Sequence, residues 1–307
     1  MSTTVSSALV ALSDDLASAV ERVAPSVVYV DGSPRRDASG LAWDEHTIVT
    51  VDHAIERDDE IEVYVDSGSH VRATLVGRDP STDLALVRVD ATLTPAPRAS
   101  LDALRVGHIV LAVGRDEDAR PGASLGVVSA LDGPWRTWRG GDVDRFLRPD
   151  LSMYSGFSGG PLLDSRGLVL GINTAGLSRR TALTVPLSTV ERVVTQLLSG
   201  GRIRRGYLGI AMQQVRLSPA LRATHALEAD GAVIVVDVAA DGPAERAGLL
   251  MGDVILAIGG RTVEDSDDLQ YALGAESVGT SQTLRILRGG VLREVSVTVS
   301  ERPGDDE

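Results

Sequence analysis

Hydrophobic positions along the chain fall into two textures. The first is helical: Val5, Leu9, Leu12, Leu16 and Val20 recur at the spacing of one face of an amphipathic helix, and the run ends before Pro25. Such a face either packs on its own domain or meets another subunit. From Ser26 to about Pro186 the pattern shortens into runs rich in apolar and β-branched residues. PSVVYV, TIVTV, EIEVYV, RATLVG, LALVRV, HIVLAVG, SLGVVSAL and LVLGINTA are separated by Gly, Asp, Ser or Pro. Many short runs without helical segments between them predict an all-β barrel or sandwich rather than βαβ units. LSTVERVVTQLLSGG then reads as one helix, with Val190, Val193, Val194, Leu197 and Leu198 on its apolar face and Gly200 as its stop. The basic stretch RIRRG follows as a linker.

From Tyr207 the texture changes again. YLGIAMQQV, AVIVVDV, DVILAIGG, QTLRILRGG and REVSVTV read as strands, while PAERAGL and DSDDLQYALGA read as helices, the second capped by Asp265 or Ser266. The pattern predicts a first, mainly β domain over residues 1–200 and a smaller α+β domain over 201–307, with the acidic tail PGDDE frayed.

Composition narrows the function. With 307 residues, 43% of them hydrophobic, the chain can bury two ordinary cores. The net charge is -13, and every basic residue is arginine. A surface this acidic repels phosphate backbones and anionic lipid, which argues against nucleic acid and membrane surfaces as partners. No cysteine is present, which removes disulfides, thiolate metal sites and cysteine nucleophiles but leaves the compartment open. The first thirty residues carry no basic leader, and Asp14 and Asp15 interrupt their apolar run. They fit neither a signal peptide nor a membrane span, and the resulting expectation is a cytoplasmic protein.

The stretch GFSGGP, residues 156–161, encloses Ser158 among glycines. A serine hydroxyl is a poor nucleophile until a base takes its proton and a third group orients that base. Of the five histidines, His53 stands just after an apolar strand in IVTVDHAI, whereas His46 and His70 sit in polar turns, His108 opens a strand and His225 lies in the second domain. Asp83 directly precedes the alternating strand LALVRV. The order His53, Asp83, Ser158, each at a strand edge of a β-rich domain, is the triad order of chymotrypsin-type β-barrels. Glycines around the serine allow neighbouring N–H groups to converge on one small volume, and those of Gly156 and Ser158 are the candidate oxyanion donors.

With these motifs the chain resembles the HtrA/Deg family of serine proteases over nearly its whole length. Family members typically show Gly-Asn-Ser-Gly-Gly-Pro at the nucleophile, matched by Gly156 to Pro161. Thr-Asn-x-His-Val at the base is similar to Thr50 to Ala54, and Asp-Leu-Ala before a strand is matched by Asp83 to Ala85. LGVVSAL, LVLGINTA and TVP are further landmarks. The resemblance implies a chymotrypsin-like double β-barrel followed by a PDZ domain, and a serine endopeptidase acting on unfolded or damaged proteins without metal or cofactor. It also implies assembly as a homotrimer, and capture of peptide C-termini by backbone N–H groups of Leu208, Gly209 and Ile210. By analogy with the fold, Ser152, Met153, Tyr154 and Ser155 line the specificity pocket opposite Ile172, Asn173 and Thr174. No carboxylate stands at the expected pocket base, which favours a small or medium aliphatic residue over Arg or Lys at the cleavage site.

The chain also departs from the family. Phe157 replaces the usual asparagine, RFLRPDLSMYSG and GRDEDARPGAS are remodelled, and DGPWRTWRGGDVDRF places two tryptophans in a loop, either as a contact surface or folded back on the barrel. These departures keep a second function class open, a non-cleaving chaperone-like protein or PDZ adaptor with a silenced barrel.

Overall fold

The computed structural model describes residues 7–66, 69–178, 181–201, 206–274 and 277–301. Val5, linker residues 202–205 and the tail after Glu301 lie outside the described residues. The chain divides into two compact units, Met1–Ile203 and Arg204–Glu307.

The first unit opens with α1 (Ser7–Val23), which ends at a 3-10 turn containing Pro25. Six strands follow: β1 (Val27–Asp31), β2 (Ala38–Ala42), β3 (Thr47–Thr50), β4 (Ile61–Asp66), β5 (Ser69–Asp79) and β6 (Leu84–Val89). They close into an antiparallel barrel in the order β1-β2-β3-β6-β5-β4. Next come β7 (Ile109–Arg115), β8 (Pro121–Asp132), a small hairpin of β9 (Trp135–Arg136) and β10 (Asp142–Val143), then β11 (Phe146–Asp150), β12 (Pro161–Asp164), β13 (Val169–Thr174) and β14 (Leu183–Pro186). Without the hairpin these form a second six-stranded sheet, ordered β11-β8-β7-β12-β13-β14.

The near-continuous apolar character of the first-barrel runs has a direct cause. Val28, Val30, Ile48, Ile61, Val63 and Val87 fill the barrel. Residues on the opposite faces, including Leu41, Val49, Leu84 and Leu86, pack with Leu111, Val113, Leu163 and Ile172 of the second sheet. Strands buried on both faces do not alternate. The helix α2 (Leu187–Gly200) adds Val190, Val193, Val194 and Leu197 to that shared core. It differs from expectation at its end. Leu198 is exposed, and the stop is Gly201, in the left-handed region at φ +69°, with its N–H donating to Leu197 O at 2.8 Å.

The second unit pairs β15 (Gly206–Tyr207) with a late strand, β22 (Ser300–Glu301). Between them run β16 (Ile210–Arg216), α3 (Pro219–His225), β17 (Gly231–Val238), α4 (Pro243–Arg246), β18 (Val254–Ile258), β19 (Arg261–Thr262), α5 (Ser266–Ala272), β20 (Ser281–Arg288) and β21 (Val291–Thr298). The main sheet is ordered β16-β17-β18-β20-β21, over its own core of Val233, Val235, Ile255, Leu284 and Ile286 with Leu269 from α5. Asp265 caps α5, accepting from the N–H groups of Asp267 and Asp268. The mainly β first unit and the α+β second unit are the architecture the sequence predicts. Among the described residues, no helix is long and apolar enough to cross a membrane.

Candidate active site

His53 sits in a 3-10 turn, Asp52–Ala54, directly after β3, and Asp83 is the last residue before β6, the strand paired with β3. That pairing brings the two side chains together. His53 Nδ1–H donates to Asp83 Oδ2 at 2.7 Å, and the His53 backbone N–H donates to Oδ1 at 3.0 Å. Asp83 is fully buried and holds a left-handed backbone conformation, φ +58°, which Asp tolerates better than most residues. Thr174, at the end of β13, also donates its hydroxyl to Asp83 Oδ2. The carboxylate therefore accepts from three donors, two of which fix the ring and backbone of His53. Asp52 beside it is buried against Arg78 Nε at 2.5 Å; burial raises its carboxyl above the ordinary value, against the pull of Arg78. The other histidines do different work. His46 meets Ala91 O, His70 stacks on Tyr64, His225 meets Gly290 O, and His108 faces Arg105.

Ser158 lies in the loop between β11 and β12. Its hydroxyl oxygen accepts from Ala175 N–H at 3.2 Å. Segment 174–176 thus touches all three candidate residues: Thr174 holds Asp83, Ala175 holds Ser158, and Gly176 lies against the histidine–aspartate pair. A Cβ on Gly176 would fall 2.4 Å from Asp83 Oδ2 and 2.7 Å from His53 Nδ1. No hydrogen bond joins Ser158 to the His53 ring among the described residues. In free enzymes this contact is commonly long and closes when substrate is bound.

The nucleophile loop is shaped by close backbone approach. Gly156, at φ +82°, faces Arg115 O, and Gly159, at φ +86°, faces Ser39 O; neither site has room for a Cβ. Phe157 N–H donates to Tyr154 O, Gly159 N–H to Asn173 O, and Gly160 N–H to Phe157 O. The N–H groups of Gly156 and Ser158 donate to no described residue, the state required of amides that are to receive an anion. Phe157 is buried, edge-on to Tyr154, over Gly114 and Gly122, which face each other across β7 and β8. A Cβ on Gly114 would come 2.7 Å from its ring.

The pocket wall is not as the analogy has it. Ile172 belongs to the core between the sheets, Asn173 Oδ1 accepts from the Thr184 hydroxyl at 2.8 Å, and Thr174 serves Asp83. All of β13 is buried, between β12 on one side and β14 on the other, so it offers no open wall to a pocket. Gly176, the Gly114–Gly122 pair and the role of Thr174 toward Asp83 escape sequence reading. For Gly176, the signal is a glycine two residues beyond a strand threonine in INTAG.

In the second unit, Gly209 takes φ +76° and its C=O accepts from Ala239 N–H, while Leu208 O accepts from Ala244 N–H. The Leu208 side chain is in the core, and Ile210 is partly buried against it. Leu208 and Gly209 N–H groups donate to no described residue, which leaves a backbone cradle fit for a carboxylate.

A family model described as a trypsin-like peptidase domain matches residues 38–172, and one described as a PDZ domain matches residues 206–299. The probable periplasmic serine endoprotease DegP-like of Pseudomonas fulva (strain 12-X) is 34% identical over 265 residues, covering 84% of this chain and 54% of its own length. Its namesake in Brucella suis biovar 1 (strain 1330) is 34% identical over 281 residues, covering 89% and 54%. The chain spans about half the length of the curated relatives it matches. Among solved structures, the HtrA-type protease AlgW with tripeptide has a TM-score of 0.74 at 30% identity, covering 95% of this chain and 98% of that one. The serine endoprotease from Yersinia pestis has a TM-score of 0.74 at 29% identity, covering 94% and 98%. The curated names overturn the expectation of a cytoplasmic protein, since these relatives are periplasmic. The physical basis of that expectation is narrow: an acidic, interrupted apolar run tests only whether those residues themselves insert in a membrane.

Proposed function

Since the chain belongs to the HtrA/Deg family of serine proteases, we propose that it is an exported serine endopeptidase that degrades unfolded or damaged proteins. Ser158 attacks the scissile carbonyl, His53 takes its proton and returns it to the leaving amine, and Asp83 holds the imidazole in the tautomer that presents Nε2 to the serine. The N–H groups of Gly156 and Ser158 receive the oxyanion; a donor of this kind typically carries about 2.7–4 kcal/mol of transition-state stabilisation. This chemistry requires neither metal nor organic cofactor. The observation that carries the reading is the 2.7 Å His53–Asp83 hydrogen bond, with segment 174–176 spanning from that pair to Ser158.

The second unit binds peptide C-termini through Leu208, Gly209 and Ile210 and thereby assists or regulates cleavage. The protein assembles as a homotrimer. In support, α1 presents Leu9, Val10 and Leu12 to solvent, an apolar face suited to contact between subunits. The cleavage site favours small or medium aliphatic residues, because residues 152–155 bring no carboxylate to the pocket.

The test is digestion of unfolded casein by the wild type beside Ser158→Ala, with and without peptides ending in hydrophobic C-terminal residues. Cleavage by the wild type alone, increased by the peptides, is expected. Binding of casein without cleavage under every condition would instead favour the non-cleaving adaptor.

A further inference from the structure

Ser39, on β2 of the first barrel, makes four hydrogen bonds while fully buried. Its hydroxyl donates to Gly156 C=O at 2.6 Å and accepts from Arg115 N–H at 2.8 Å. Its backbone N–H donates to Ser158 C=O at 2.8 Å, and its C=O accepts from the Thr50 hydroxyl at 2.7 Å. Two residues earlier, the Asp37 carboxylate accepts from the Ser155 hydroxyl at 2.7 Å and from Tyr29 OH at 3.1 Å. One short segment of the first barrel therefore grips three successive points of a loop that belongs to the second sheet.

The consequence follows from the planarity of the peptide unit, in which C=O of one residue and N–H of the next point in opposite directions. The 156–157 peptide is held at both ends, by Ser39 on its C=O and Tyr154 O on its N–H. The 158–159 peptide is likewise held, by Ser39 N–H and Asn173 O. The 155–156 peptide, which carries the Gly156 N–H, is bracketed by the Asp37–Ser155 and Ser39–Gly156 contacts. The 157–158 peptide, which carries the Ser158 N–H, lies between two fixed neighbours. Each of the two unpartnered N–H groups thus belongs to a peptide unit flanked by units that are held in place.

We infer that Ser39, assisted by Asp37, is a positioning residue of the oxyanion site: it sets the orientation of the Gly156 and Ser158 amides without touching substrate. The role rests on the assignment of Ser158 as nucleophile and of these amides as oxyanion donors. Loss of the Ser39 hydroxyl leaves a buried carbonyl without its donor and frees the 156–157 peptide to turn, and a misplacement of about 1 Å at such a site costs on the order of a hundred-fold in rate.

The experiment uses the full chain, a fluorogenic peptide substrate, a peptide boronic acid of the same sequence that forms a tetrahedral adduct on serine, and thermal denaturation as the check of folding. In Ser39→Ala, kcat is expected to fall roughly ten- to a hundred-fold with KM nearly unchanged, and the boronate to bind more weakly by a similar factor. Asp37→Ala, at an exposed position, lowers kcat in the same sense, and Asp37→Asn, which still accepts from Ser155, recovers most of the loss. A folded Ser39→Ala with lower melting temperature but wild-type kcat and boronate affinity overturns the inference. If Ser39→Ala does not fold, the Asp37 pair decides, and wild-type kcat in both variants overturns it. A wild type that neither cleaves peptide nor labels at Ser158 with a fluorophosphonate removes the nucleophile assignment itself and this role with it.

Discussion

Gly176 lies where the histidine–aspartate pair leaves no space for a methyl group, and its substitution separates the packing of the site from its chemistry. Gly176→Ala is expected to displace the His53 ring or the Asp83 carboxylate and to reduce kcat by about a hundred-fold, with little change in melting temperature, as measured by peptide hydrolysis beside calorimetry. Phe157 acts differently. Its ring fills the space over Gly114 and Gly122, the sites where a Cβ would meet it. Phe157→Ala should destabilise the first unit by about 3–5 kcal/mol in urea denaturation, the range for deleting a buried phenyl ring. At this scale the candidate triad, His53, Asp83 and Ser158, was legible because residue type and order alone nominate it. The sequence was silent where absence of a side chain matters, because a glycine that makes room cannot be told from a glycine that makes a turn until its neighbours are in place.

Elements show the same division. The first-barrel runs were readable because strands buried on both faces are apolar throughout. β2, of sequence ASGLA, carries no strand signal of its own: its small residues have weak strand preference, and its pairing with β1 and β3 decides its state. α3 has no buried residue and so no apolar period to mark it; its signal is Ser218 followed by Pro219, a helix start in which the Ser218 hydroxyl accepts from Leu221 N–H. The loop with two tryptophans divides between its alternatives. Trp135 packs edge-on to Phe146, while Trp138 is 67% exposed. The hairpin itself is tied to the turn before Asp83, through the Thr137 hydroxyl on Ser81 O at 2.6 Å and Arg139 on Pro80 O at 3.2 Å. In α1, the expected face splits: Leu16 and Val20 pack against the core, whereas Leu9 and Leu12 remain exposed. If that exposed end joins subunits, Leu9→Asp with Leu12→Asp lowers the mass found by light scattering while the circular dichroism spectrum is kept. An unchanged mass assigns another surface to assembly.

At the scale of the molecule, each unit has its own core, and the second holds an internal ion pair. Asp253 is buried and receives Arg288 Nε and Nη2 at 2.7 Å each. Burial raises its carboxyl, but the hydrogen bonds from Arg288 and from Leu250 N–H outweigh that and hold it below the usual carboxylate range. The folded state thus binds this proton more weakly than the unfolded chain. The stabilisation is complete above the ordinary carboxylate range near pH 4 and is lost as pH falls through the lower folded value. Acid titration of the second unit's unfolding should show this loss, and Arg288→Ala, which strands the carboxylate, should cost about 3 kcal/mol at neutral pH and remove most of that acid dependence.

Composition, periodicity and motif order determined by themselves the two-domain division, the mainly β character of the first, the α+β character of the second and the identity of the candidate triad. Each depends on residue types at short sequence separation or on a fixed order along the chain. Only the tertiary structure decided that Thr174 serves Asp83 rather than a pocket wall, that Gly176 clears space for His53, that Phe157 rests on paired glycines, and that Ser39 and Asp37 grip the nucleophile loop from another barrel. Those relations join residues 91, 76 and 117 positions apart, as in Thr174–Asp83, Arg115–Ser39 and Gly156–Ser39. Contacts of that range exist only once two sheets pack face to face, and no local pattern encodes which carbonyl a buried hydroxyl will meet.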